Sequence, residues 1–167
     1  TTGTQALGRL PMPRPGVVDS VAITTLFEDS RKRIWIGLGR RRGAAVYNPA
    51  ERSFRVFPYG PGGYPFPFPM AAGEDARGNI WFISDATGDL AMWDDHKEEF
   101  KVVQVPGVDG TINVESNGFL LNKEEDEIWY GILPGGLVRY GMADGRSTVY
   151  GVQDGLAPGF TSSIVKD

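Results

Sequence analysis

The chain has 167 residues, 41% apolar and 23% charged, the composition of an ordinary folded domain. Its 17 basic and 21 acidic side chains leave a net charge of −4, which argues against binding nucleic acid through bulk charge. With no cysteine and one histidine, His96, the sequence excludes disulfides, thiolate metal sites, cysteine nucleophiles and histidine clusters.

Glycine (23) and proline (12) together make up about a fifth of the chain, which suits many short strands joined by tight turns rather than helices. No run of 18 apolar residues occurs, so no helical span and no membrane contact are expected of this segment. The chain opens Thr1-Thr2-Gly3 without a methionine, as expected of a piece of something longer.

Three tryptophans set a period. Ile34-Trp35-Ile36, Ile80-Trp81-Phe82 and Ile128-Trp129-Tyr130 recur 46 and 48 residues apart. Upstream of each is a polar turn preceded by an acidic pair, Glu28-Asp29 and Glu74-Asp75, replaced in the third copy by Asn122-Lys123. Downstream come a glycine (Gly43, Gly88, Gly136) and a second aromatic (Tyr47, Trp93, Tyr140). A further turn and a short alternating segment close each copy, as in Phe54-Arg55-Val56-Phe57. Each unit therefore reads as four short strands with turn chemistry between them. Four strands at this period are the pattern of a β-propeller blade.

The expected fold is all-β, a propeller fragment of about 3.5 blades. Residues 1–15 would be the last strand of a preceding blade, 16–57, 58–103 and 104–151 three blades, and 152–167 the first strand of a further one. An incomplete ring exposes sheet faces and edges, so the remaining blades of a longer chain or a second copy are expected as partners. Trp35, Trp81, Trp129, Tyr47, Trp93 and Tyr140 are expected to fill the gaps between neighbouring sheets.

The run Glu28-Asp29, Ile34-Trp35-Ile36-Gly37, together with Ile128-Trp129-Tyr130-Gly131, Gly135 to Tyr140 and Asp154-Gly155-Leu156-Ala157-Pro158, resembles the two-component regulator propeller repeat. The resemblance covers about Gly16 to Asp167. It implies an extracytoplasmic, periplasmic or extracellular, ligand-sensing segment of a bacterial two-component system. Such a segment is non-catalytic, with a small-molecule ligand such as an oligosaccharide and a histidine kinase elsewhere in the parent chain. The Gly78-Asn79-Ile80-Trp81-Phe82 copy also resembles streptogramin B lyase propellers, the enzyme alternative; a passive interaction scaffold is the other.

Two basic trios stand out, Arg31-Lys32-Arg33 and Arg40-Arg41-Arg42. They lie on the turns entering and leaving one strand, roughly 17–20 Å apart, so they are two patches rather than one. Both are read first as solvated turns. The second is the better ligand candidate because its turn shares a face with the loops between blades. The longest such loop, Pro58 to Pro69, holds five prolines, three glycines and four aromatics. Phe66 and Phe68 are expected to pack as a lid, with Tyr59 and Tyr64 as a stacking wall for a ring-shaped ligand. The candidate ligand-binding residues are thus Arg40, Arg41, Arg42, Tyr59 and Tyr64.

Asp94 to Glu99 contains His96 but lacks the spaced oxygens and glycine of a calcium loop. His96 falls in an outer hairpin turn, away from the axis where propeller enzymes work. The acidic run Glu124 to Glu127 reads as a solvated turn. No phosphate loop, nucleophile elbow or metal-ligand spacing is present, and no catalytic residue, metal or cofactor is expected.

Overall fold

A computed structural model describes residues 22–39, 41–84, 87–108, 114–157, 159 and 163–166, with the backbone alone for 114–117. The expected strand in 1–15 and the start of the next unit lie outside the described residues.

Twelve strands form three antiparallel meanders. The first sheet is β1 (Ile23–Glu28), β2 (Ile34–Leu38), β3 (Gly43–Asn48) and β4 (Ser53–Phe57). The second is β5 (Pro69–Glu74), β6 (Ile80–Ser84), β7 (Leu90–Asp94) and β8 (Glu99–Val103). The third is β9 (Val114–Asn122), β10 (Glu127–Ile132), β11 (Gly136–Gly141) and β12 (Ser147–Tyr150). The only helix among the described residues is the short turn Val152–Asp154, and none is long and apolar enough to cross a membrane. Residues 163–166, expected to open a further blade, have no strand partner among the described residues.

The strands closest in sequence to each tryptophan turn, β1, β5 and β9, lie side by side. They crowd one another. A Cβ on Gly73 of β5 would stand 3.1 Å from Leu121 Cβ of β9, tighter than ordinary contact, so glycine admits the neighbouring strand.

Because side chains alternate across a strand, a sheet covered on both faces needs apolar residues at successive positions. β6 meets this requirement with all five residues buried. On one side Ile80, Phe82, Ala91 and Trp93 pack against Trp35, Ala44 and Phe57 of the first sheet. On the other, Trp81, Ile83 and Leu90 pack against Ile128, Tyr130, Val138 and Tyr140 of the third. Trp35, Trp81, Tyr47, Trp93 and Tyr140 are all buried. Trp129 differs from the expectation: it is only half-buried. The reason is visible in the first sheet. There Trp35 and Phe57 stack at 6.0 Å and 11°, and Trp93 of the next sheet closes the stack, 4.6 Å from Phe57. Trp129 and Tyr150 repeat that stack at 5.9 Å and 8° on the outward side of the third sheet, without a corresponding aromatic among the described residues to close it.

The turn before each tryptophan is built around one buried side chain. Asp29 Oδ1 accepts from the backbone N–H groups of Arg31 (3.0 Å) and Arg33 (2.9 Å), while Oδ2 accepts from Trp35 Nε1 (2.9 Å) and Arg33 Nε (2.7 Å). Asp75 repeats this with Arg77 N, Asn79 N, Asn79 Nδ2 and Trp81 Nε1, all at 2.8–2.9 Å. The third copy corrects the sequence register. Ile128 faces Leu121 where Ile34 faces Glu28 and Ile80 faces Glu74, so Asn122 occupies the Asp29 and Asp75 position and its turn is one residue longer. Asn122 Oδ1 accepts from Glu124 N at 3.2 Å, but the indole of Trp129 donates instead to Glu127 at 2.9 Å.

Burial pushes the Asp75 carboxyl upward, but the donors from Trp81, Asn79 and Arg77 outweigh it and hold it below its ordinary value. A carboxyl depressed in the folded state contributes stability above its unfolded value of ~3.9 that disappears as pH falls through the folded one. The expected outcome is a melting temperature that drops on acidification below about pH 4, with part of that drop removed in Asp75→Asn. At neutral pH, Asp75→Ala should cost about 2–4 kcal/mol through the orphaned donors. Thermal unfolding followed by circular dichroism checks both.

Candidate functional site

Each sheet has two ends. The turn end carries the β1–β2 and β3–β4 turns and their counterparts. The loop end carries the β2–β3 turn and the long connections between sheets. The basic trios of the first sheet fall on opposite ends.

At the turn end the cations are engaged. Arg33 forks onto Asp95 of the β7–β8 turn at 3.0 and 2.9 Å, and Arg31 joins the same carboxylate. Lys32 pairs with Glu28 at 2.9 Å. Arg31 to Arg33 are therefore not a simple solvated turn: two of them clamp the first sheet to the second. Asp95 also accepts from Trp93 Nε1, and despite burial these partners hold its carboxyl below the ordinary range. Glu74 of β5 is buried and bridges both neighbours, accepting from Ser30 Oγ at 2.7 Å and Lys123 Nζ at 2.9 Å. Arg77 forks onto Asp126 of the third sheet at 3.2 and 3.0 Å. The cleft among these groups, about 380 Å³, is lined by cations already in ion pairs.

The acidic run Glu124 to Glu127 is likewise more than a solvated turn. Glu127 is buried and holds both the Trp129 indole and Arg139, the latter at 2.8 Å through Nε. The inter-blade ties of Glu74 and Asp95 are not legible in the sequence because their partners lie 44 to 64 residues away, whereas Glu127 pairs within its own sheet with Trp129 and Arg139. For Asp95 one signal existed: it is the only acid among the residues two places after Tyr47, Trp93 and Tyr140.

The loop end is different. Arg40 lies outside the described residues. Arg41 and Arg42 are exposed in the β2–β3 turn. Arg41 adopts φ +58°, donates its backbone N–H to Pro67 O at 3.1 Å and places its guanidinium 5.9 Å from the centre of the Tyr59 ring. Gly43 makes this approach possible: a Cβ there would stand 2.1 Å from Phe57 O and 2.7 Å from Tyr59 N. The arginine turn thus lies directly against the start of the proline-rich loop.

That loop is tied to itself. Tyr64 N donates to Pro58 O at 2.9 Å, Gly60 N to Tyr64 O at 3.0 Å and Gly63 N to Gly60 O at 3.0 Å. Tyr64 is not the exposed wall expected of it. Its ring is fully buried, edge-on to Phe82 at 5.5 Å and Phe100 at 5.2 Å. A ring that fills a space beside the second sheet gains more from burial than from exposure, so it anchors the loop. Phe66 is buried beside it at 6.2 Å and Phe68 is half-buried. Tyr59 remains 39% exposed. Of the candidates, Arg41, Arg42 and Tyr59 come together at the loop end, while Tyr64 supports them from below.

His96 is exposed in the β7–β8 turn, at the opposite end, with its backbone N–H on Asp94 Oδ1 at 3.0 Å. Among the described residues no group of three or more histidines and carboxylates is placed to hold a metal ion.

No protein-family model matches the chain, and no curated protein matches it. Solved structures do. The extracellular domain of the hybrid two-component system BT3049 from B. thetaiotaomicron is similar with a TM-score of 0.64 and 16% identity, over 83% of this chain and 20% of that one. The corresponding domain of BT4673 gives 0.62 and 16%, over 84% and 17%. Virginiamycin B lyase from Staphylococcus aureus gives 0.58 and 16%, over 77% and 41%. The chain is a stretch of β-propeller. Its three described sheets are three consecutive blades, and they span between about a sixth and two-fifths of the solved chains they match. Likeness at this identity shows the propeller fold and not the activity.

Tyr64→Ala should cost about 3–5 kcal/mol as a buried aromatic is lost, whereas Tyr59→Ala should stay within about 0.5 kcal/mol of the parent chain. Urea unfolding of the two variants measures the difference; equal losses would show that Tyr59 is also a structural anchor.

Proposed function

We propose that this chain is a ligand-sensing stretch of an extracytoplasmic propeller in a bacterial two-component sensor, periplasmic or extracellular, and that it binds without doing chemistry. The observation that carries this reading is the platform of Arg41, Arg42 and Tyr59. It holds exposed side chains on a self-bonded loop at the end where the blade connections gather. The likeness to extracellular domains of hybrid two-component systems supports the same assignment. A preformed loop binds with little ordering cost, which suits recognition of a small molecule such as an oligosaccharide.

The lyase reading has one specific support, the likeness to virginiamycin B lyase, of which a histidine-to-alanine variant is described as catalytically inactive. Here His96 sits on an outer turn at the end opposite the platform. A general base must come within hydrogen-bond reach of its substrate, and nothing gathers a substrate around that turn. A passive scaffold would not need an open arginine–tyrosine platform.

Titrating the labelled chain with a panel of oligosaccharides by two-dimensional NMR tests this. Shifts are expected at Arg41, Arg42 and Tyr59, with every ligand recovered intact and His96→Ala indistinguishable from the parent. Ligand turnover that disappears in His96→Ala would sink the sensor reading in favour of the lyase.

The open Trp129–Tyr150 stack bears on assembly. We propose that it receives an aromatic from a further blade, supplied by the remaining propeller or by a second copy, as Trp93 closes the Trp35–Phe57 stack. Light scattering on the 167-residue chain should show self-association that Trp129→Ala weakens; a clean monomer at all concentrations would rule out the second copy.

A further inference from the structure

Charge use differs sharply between the two ends of the propeller. Among the described residues there are fourteen lysines and arginines, and ten of them are in ion pairs. The four without a carboxylate partner are Arg41, Arg42, Arg52 and Lys97. Arg52 and Lys97 lie singly on outer turns of different blades at the turn end. Arg41 and Arg42 are adjacent, at the loop end, beside the exposed ring of Tyr59.

This pairing is unusual for a chain of net charge −4, in which carboxylates outnumber cations. Elsewhere the described cations, Arg52 and Lys97 apart, are spent on carboxylates. Some pair within their own blade, such as Lys32 and Arg139, and others across a blade interface, such as Arg33, Arg77 and Lys123. At this turn it keeps two adjacent guanidinium groups free of carboxylates and holds their backbone rigidly. Arg41 N is bonded to Pro67 O, Gly43 seats the turn on Phe57 and Tyr59, and Tyr64 pins the loop into the core. The side chains are therefore presented on a fixed backbone, with little ordering left for a ligand to induce.

We infer that the ligand of this platform is an acidic sugar, a ring bearing a carboxylate or sulfate. The inference rests on the sensor reading and specifies its ligand class. A guanidinium matches the planar geometry of a carboxylate or the oxygen face of a sulfate with parallel N–H donors. An exposed tyrosine face gives the apolar side of a sugar ring a surface to stack on. Because the Arg41 guanidinium already lies over the Tyr59 ring, 5.9 Å from its centre, the two side chains form one contiguous surface that a ring-sized ligand can engage. A neutral sugar would use the tyrosine and leave both arginines without a role. A bare inorganic anion would use the arginines and leave the tyrosine idle. Since the chain as a whole repels anions, the attraction is local and falls with ionic strength.

The test is calorimetric titration of the 167-residue chain with matched pairs: trigalacturonate against galactotriose, trimannuronate against mannotriose, and lactose sulfate against lactose, with sodium sulfate as the bare anion. At least one acidic member should bind about tenfold or more tightly than its neutral partner, and more tightly than sulfate. That preference should disappear in Arg41→Gln, which keeps the backbone bond to Pro67, and shrink as salt is raised. Tyr59→Ala should weaken the acidic sugar without changing binding of sulfate. Unfolding curves of both variants confirm that they fold. Neutral members binding as tightly as acidic ones, with Arg41→Gln unaffected, would overturn the acidic-sugar inference and leave the sensor reading standing. Acidic sugars bound with unchanged affinity in both variants would overturn the platform as the site. No binding by any member of the panel would overturn the ligand class, and the oligosaccharide NMR shifts at Tyr59 decide separately whether the sensor reading falls with it.

Discussion

A single buried carboxylate organises each of the first two blades. Asp29 and Asp75 each take four donors, two from the backbone of their own turn, one from a turn side chain and one from the indole of the blade tryptophan. The turn and the inter-blade wedge are thereby fixed by the same atoms. A tryptophan that must lie between two sheets carries one polar atom, the indole N–H, and that atom needs an acceptor when it is buried. The aspartate supplies it and in the same place satisfies the backbone donors of a tight turn. The third blade shows what happens when the acid is lost. Asn122 still caps the turn, but the indole is captured by Glu127 from the start of β10.

The second layer of organisation is electrostatic and joins blade to blade. Asp95, Glu74 and Asp126 each accept cations from a neighbouring sheet. All of this lies at the turn end, where it fills the polar perimeter that the aromatic wedges leave between sheets. Such pairs are partly screened individually, and their effect here is to set the relative placement of blades more than to supply stability. With the turn end committed to holding the blades together, the loop end is free to carry recognition. Its chain path is longer and proline-rich, and its exposed arginines have no structural duty.

The loop also shows how one residue enables another. Tyr64 and Tyr59 are five residues apart and joined by a short bridge, yet one is fully buried and the other well exposed. The buried ring holds the loop down against Phe82 and Phe100, and the loop in turn holds Tyr59 beside Arg41.

The repeat, the four strands per unit, the Trp35 and Trp81 wedges and the separation of the two basic trios could all be read from the sequence. Each is a local pattern, set by alternation, turn residues and the 46 to 48 residue period. Tertiary structure alone decided the rest. Alternation cannot say which of two tyrosines in an irregular proline-rich loop turns inward, because such a loop has no period; the vacancy beside Phe82 and Phe100 chose Tyr64. Local charge cannot say which cations tie one blade to the next, because those partners lie 43 to 64 residues away; packing assigned Arg31 and Arg33 to Asp95 and left Arg41 and Arg42 without a carboxylate partner. The sequence by itself determined the blades, and the packing between them determined which charged and aromatic side chains remained exposed.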